Sequence, residues 1–203
     1  MIPANTPQWI QKAIPGVLWR VETAEKELYL TFDDGPIPEV TPWVLDLLLS
    51  YNAQATFFCI GDNVQKHPAI YQRIIEEGHG VANHTQNHLN GWKSSKSNYV
   101  SNVEACSKWV DSKLFRPPYG KFTKGQLEWL KRRYTTILWS VLSKDYSKNL
   151  SPQQVLDNAL KCKEGDIIVF HDSLKARKNL EYVLPRFLEH YQNLGYTFKS
   201  IKV

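Results

Sequence analysis

Five short stretches of this chain hold side chains able to do chemistry: Asp33-Asp34, His84 with His88, Arg116-Pro117-Pro118-Tyr119, Asp145, and His171-Asp172. Adjacent carboxylates before a Gly-Pro step ordinarily cap helices or form turns. At the end of an extended segment, though, an Asp-Asp step aims its two side chains in different directions. One can then ligate a metal while the other stays free as a base. His84 and His88 stand at i, i+4, close enough on one side of a helix or turn to share an ion. Two histidines and a carboxylate hold Zn²⁺ or a similar divalent ion and leave positions open for water and substrate. The guanidinium of Arg116 either braces a rigid turn or keeps a catalytic carboxylate ionised and oriented. Pro117-Pro118 would stiffen that turn and present the backbone N–H of Tyr119 to an oxyanion. His171 follows the apolar run Ile167–Phe170, surroundings that suit a general acid. Asp172 reads as a cap or turn residue, and His67, His79 and His190 as structural.

These groups share a position relative to the elements around them. Apolar runs at Leu28–Phe32, Ala55–Ile60, Gly80–Asn83, Leu114-Phe115, Thr136–Val141, Asp166–Phe170 and Tyr196–Val203 read as strands. Between them, helical spacing predicts helices around Val40–Tyr51, Pro68–Glu77, Tyr99–Val110, Leu127–Leu130, Val155–Leu160 and Leu180–Tyr191. Thr123 and Ser151-Pro152 are start signals, Gly78 is a stop, and Pro185 predicts a kink or a helix that begins nearby. About seven strands alternating with about six helices argue for a parallel α/β architecture in a single domain. Each reactive group follows a strand. In such folds the loops at the carboxyl ends of strands converge on one face and build the active site.

The chain has 203 residues, 42% of them hydrophobic and 22% charged, enough to bury a full core. No apolar stretch approaches the roughly 20 residues needed to cross a bilayer. Met1–Ile14 lacks the basic-then-apolar layout of a signal peptide, which on sequence alone suggests a cytoplasmic protein or a removed export segment. Cys59, Cys106 and Cys162 form no disulfide framework or zinc ribbon and read as small buried residues. A net charge of +5, scattered along the chain without a dense basic tract, argues against nucleic-acid binding. Trp92, Trp139 and Tyr146, near the inferred mouth, either stack on a ligand or pack the rim.

Taken together the motifs resemble the polysaccharide deacetylase family, the NodB-homology or carbohydrate esterase family 4 domain, from about Leu28 to Val203. The sequence Thr31-Phe32-Asp33-Asp34-Gly35-Pro36 is similar to its first motif, His84-Thr85-Gln86-Asn87-His88 to its second, Arg116-Pro117-Pro118-Tyr119 to its third, and Ile168-Val169-Phe170-His171 to its fifth. The fourth departs: Leu142 stands where the family commonly has an aspartate and Tyr146 where it has a tryptophan, while Asp145 keeps the second aspartate. The resemblance implies a distorted (β/α)7-type barrel over residues 28–203, with 1–27 as an extension packing on it. It implies Asp33 as base, Asp34, His84 and His88 as metal ligands, and Arg116 holding the base. It further implies His171 as acid tuned by Asp145, and the Tyr119 N–H on the oxyanion. Pro118, Tyr119, Tyr146 and Phe170 would contact substrate, and the apolar residues of Ile168-Val169-Phe170 would receive the acetyl methyl. The implied reaction is metal-dependent removal of N-acetyl groups from an amino-sugar glycan such as peptidoglycan or chitin oligomers, with Zn²⁺, Co²⁺ or Mn²⁺ as the ion. An O-acetyl xylan esterase and a catalytically silent glycan-binding barrel are the alternatives. The family usually acts at the envelope or outside the cell. The resemblance leaves oligomeric state open.

Overall fold

The computed structural model describes residues 4–202. Among them are nine strands and eight α-helices: α1 Gln8–Ala13, β1 Val17–Leu18, β2 Glu27–Asp33, α2 Thr41–Ser50, β3 Ala55–Cys59, α3 Gly61–Lys66, α4 Pro68–Glu76, β4 Gly80–Asn83, α5 Lys96–Cys106, β5 Leu114–Phe115, α6 Lys124–Leu130, β6 Thr135–Ile137, β7 Val141–Leu142, α7 Pro152–Ala159, β8 Ile167–His171, α8 Arg177–Asn193 and β9 Thr197–Phe198. The sheet order is β1-β6-β5-β4-β3-β2-β8-β7, with β9 paired to β2, and every pairing between these strands is parallel. Helices between parallel strands cover the sheet, so its central strands are buried on both faces and read as continuous apolar runs. Phe32, Phe57 and Phe170 show this packing, with ring centroids 5.1 and 5.9 Å apart.

The expected strand Thr136–Val141 is divided. Its first part pairs with β5 and β1, its last with β8, and Leu138–Ser140 crosses between them. Leu138 N–H donates to Leu18 and Ser140 N–H to Ile167. One passage of chain therefore serves both flanks, and the sheet curls into a half-barrel instead of lying open. Residues before β2 run along the same seam: Thr6 N–H donates to Ser140, Leu142 N–H to Ala4, and β1 registers Val17 against Thr136. Val17-Leu18 is too short an apolar run to announce a strand. Met1–Pro3 of the expected extension and Val203 of the expected last strand lie outside the described residues, and β9 is shorter than that expectation.

Helix starts follow local chemistry. Thr123 and Ser151 each form a capping box, with Gln126 and Gln154, before α6 and α7. Gly78, at φ +81°, ends the turn after α4. Pro185 lies inside α8, which continues through it from Arg177 to Asn193. None of the described helices is long and apolar enough to cross a membrane.

Candidate active site

Strand register brings the reactive residues level. Asp33 pairs with His171 across β2 and β8, Asn83 pairs with Phe115 across β4 and β5, and His84 and Arg116 come next in chain. The junctions are tied: Asp172 N–H donates to Asp33 O, His84 N–H to Cys59 O, and Arg116 N–H to Asn83 O. The side chains of Asp33, Asp34, His84, His88, Tyr119 and His171 then line one cleft of about 450 Å³. This volume is within the range usual for small-molecule sites.

Asp33 is nearly inaccessible. Arg116 Nη1 donates to its Oδ1 at 2.6 Å and to Thr31 Oγ1 at 2.7 Å. The rest of the guanidinium donates to the Leu138 and Ile137 carbonyls and lies 3.9 Å over the Phe58 ring. Burial opposes ionisation of Asp33, but the charge and hydrogen bond of Arg116, with the charge of His171, outweigh it and hold the carboxyl below its ordinary range.

Beside it, one ligand atom each from Asp34, His84 and His88 lies within 4.8 Å of the others. Asp34 Oδ1 is 3.3 Å from His88 Nε2 and 3.9 Å from His84 Nε2. Nδ1 of His84 faces the Arg116 carbonyl at 2.7 Å, and because a carbonyl only accepts, that nitrogen carries the proton. Its Nε2 therefore turns a bare lone pair toward Asp34. Burial lowers the His84 pKa to about 4 and that of His88 below the usual value, which keeps both imidazoles neutral, the ligating form. Asp34 Oδ1 is buried with no hydrogen-bond partner among the described residues. Two neutral imidazoles and an orphaned carboxylate oxygen in one spot fit a divalent cation.

On the β8 side, His171 Nδ1 donates to Asp145 Oδ1 at 2.7 Å, and its backbone N–H donates to Asp145 Oδ2 at 2.7 Å. Burial works against the charged imidazole, but the Asp145 carboxylate more than offsets it and raises the His171 pKa to about 9. Tyr146 packs edge-on to that ring at 5.0 Å and lines the cleft. Asp172 is fully buried, accepting from Gly35 N–H and Thr41 Oγ1, and thus braces the loop bearing Asp34. A Cβ on Gly35 would come within 2.0 Å of the Asp172 carboxylate, so this close approach requires glycine.

The backbone around the cleft is strained. Of six non-glycine residues at positive φ, five surround it: Asp34 (86°), Thr85 (65°), His88 (59°), Tyr119 (62°) and Lys144 (63°). Such conformations cost about 1–3 kcal/mol each and persist where the surroundings enforce them, commonly at functional sites. Tyr119 stands exposed at the rim with its hydroxyl 3.1 Å from His88 Nδ1. Its backbone N–H has no hydrogen-bond partner among the described residues.

Two expected substrate contacts fall elsewhere. Phe170 is fully buried in the core against Phe32 and Phe187 and does not line the cleft. Side chains alternate along β8, so the face shared with His171 belongs to Val169, which lines the cleft together with Leu142. That alternation was a usable sequence signal, counted back two residues from His171. Pro118 is buried and is not among the cleft-lining residues. Trp139 does line it, packed so near that a Cβ on Gly120 would meet its ring at 2.8 Å, whereas Trp92 is exposed outside. Lys121 and Lys175 also reach the cleft, and no local pattern marks them. Cys59 and Cys106 are buried, Cys162 is half-buried, and all three are free.

Comparison with known proteins follows the same line. Residues 20–134 match the family described as polysaccharide deacetylase. The chain is 37% identical over 194 residues to a peptidoglycan-N-acetylglucosamine deacetylase of Bacillus cereus, covering 91% of each chain. A chitooligosaccharide deacetylase of a Bradyrhizobium species is 34% identical over 155 residues, 72% of this chain and 71% of that protein. The solved structure of the Bc1960 peptidoglycan N-acetylglucosamine deacetylase shares 30% identity and a TM-score of 0.83, covering 96% of this chain and 94% of that one.

Proposed function

The chain belongs to the polysaccharide deacetylase family of hydrolases, and from that premise we propose that it removes N-acetyl groups from an N-acetylglucosamine-containing glycan with a divalent metal, Zn²⁺ in first place, releasing acetate. The observation that carries the proposal is the orphaned Asp34 Oδ1 facing two neutral imidazoles beside an Arg-held carboxylate.

Asp34, His84 and His88 would hold the ion, which when bound polarises a carbonyl and lowers the pKa of water. Asp33, kept ionised by Arg116, accepts the proton of the attacking water. The unpartnered Tyr119 N–H stands ready to meet charge developing on the acetyl oxygen. His171, protonated through its pairing with Asp145, gives a proton to the departing amine, which is otherwise a poor leaving group. Val169 and Leu142 offer the apolar wall in place of Phe170.

Acetate release from an N-acetylglucosamine oligomer and from O-acetylated xylan, each before chelation and after Zn²⁺ is restored, tests the reading. Preferred release from the first, lost on chelation and recovered with Zn²⁺, is expected. Asp33→Asn is expected to lower kcat by about 10²–10⁴. Full activity in that variant, or Zn²⁺ affinity unchanged in Asp34→Ala, would refute the assignments.

A further inference from the structure

Loops 84–96, 116–124, 143–151 and 171–178, which follow β4, β5, β7 and β8, each carry two or more exposed or half-buried lysines. Their only acids are Asp145 and Asp172, both fully buried. The loops after β2 and β3 carry acids, Asp34 and Glu39 after β2 and Asp62 after β3, and Glu22, Glu25, Glu77, Asp111 and Glu164 lie at the opposite end in segments leading into strands. The fold thus gathers lysines along the β4, β5, β7 and β8 sides of the cleft mouth.

Two of these lysines reach the cleft itself. Lys121 Nζ lies 5.0 Å over the Trp92 ring and Lys175 Nζ 5.3 Å over the Tyr146 ring. Both rings are anchored, Trp92 by its Nε1–H donating to the Phe122 carbonyl at 3.0 Å and Tyr146 by its edge-on contact with His171. Neither lysine has an ion pair or side-chain hydrogen bond among the described residues. An ordinary surface lysine waves in solvent; these two are held over aromatic faces beside the reacting groups with no carboxylate to neutralise them. A cation over a ring also engages a face on which a neutral sugar would stack. Positive charge along one side of a cleft concentrates anions there.

We infer that Lys121 and Lys175 make the cleft mouth select an N-acetylated glycan bearing carboxylates over a neutral one. This rests on the deacetylase reading above and adds the charge of the substrate for that same site. The ammonium groups pair with carboxylates on sugar units flanking the one deacetylated, while Asp33 accepts the proton of the attacking water.

The test compares kcat/KM for acetate release from an alternating N-acetylglucosamine–N-acetylmuramic acid oligosaccharide and from the same oligosaccharide with its carboxyls converted to primary amides. At low ionic strength the charged form is expected to be favoured about tenfold, and Lys121→Met and Lys175→Met each to reduce that ratio about threefold, as for exposed ion pairs. The double variant should bring it near unity, since separated sites add. Added salt should shrink the wild-type ratio in the same way. Equal rates on both forms in the wild type, or losses shared equally by both forms in the variants, would overturn the lysine assignment and leave the deacetylase reading intact. An oligonucleotide that inhibits as strongly as the charged glycan would likewise overturn it, by revealing a general polyanion surface. Acetate from neither form would overturn both readings.

Discussion

Replacing Arg116 with methionine separates the buried ion pair from everything else in the cleft. The guanidinium is fully buried and donates to Asp33, Thr31 and the Ile137 and Leu138 carbonyls. Methionine fills much of the volume but leaves the Asp33 carboxylate buried without a counter-charge, which costs about 3–5 kcal/mol. A domain of this kind holds about 5–15 kcal/mol in total, so the variant folds with a much reduced margin. Asp33→Asn alone strands the guanidinium in the same way. In Arg116→Met/Asp33→Asn neither charge is buried, and the remaining cost is the two orphaned carbonyls, about 1–3 kcal/mol each at most. The double variant is therefore expected to be more stable than the sum of the single losses allows, by about 2 kcal/mol or more, a coupling within the range for residues in direct contact. Urea unfolding of the four metal-free proteins, extrapolated linearly to water, measures the cycle. Additive losses would refute the claim that burial of an unpaired charge dominates here.

Because the folded-state pKa of His171 is raised to about 9, its contribution to stability is full below the ordinary histidine value and fades as pH rises through 9. The metal-free protein should lose about 3 kcal/mol from this group between pH 6 and pH 10, and Asp145→Asn should remove most of that slope, as read by urea unfolding across pH. Asp172 adds a loss of the same sign and comparable size, confined to pH below about 8, since burial raises its pKa to about 8, and it persists in Asp145→Asn. Gly35→Ala should cost about 1–3 kcal/mol from overpacking against Asp172, with weaker Zn²⁺ binding by calorimetry because the Asp34 loop must shift. Tyr119→Phe, which removes the hydroxyl near His88 Nδ1 but keeps the backbone N–H, is expected to change kcat less than tenfold in an acetate-release assay. A loss of 10² or more would place the catalytic role in the side chain, against the backbone assignment.

The candidate site residues and their attachment to strand ends could be read from the chain alone. Asp33-Asp34, His84 with His88, Arg116, Asp145 and His171 were legible because the chemistry demands those residue types and because apolar runs stop immediately before them. The helix starts at Thr123 and Ser151 were legible for a similar reason, since a cap is satisfied within its own turn. Tertiary structure alone decided the rest. The proton on His84 Nδ1 is set by a carbonyl 32 residues away, the charge of Asp33 by a guanidinium 83 residues away, and the cleft-facing side of β8 by its register against β2. Lysines spread along four loops came to one end of the sheet only because parallel strands point every strand end the same way. Composition and short-range pattern record which groups are present. Their distances, burial and mutual charge arise from long-range pairing and the curl of the sheet, which no local stretch of chain contains.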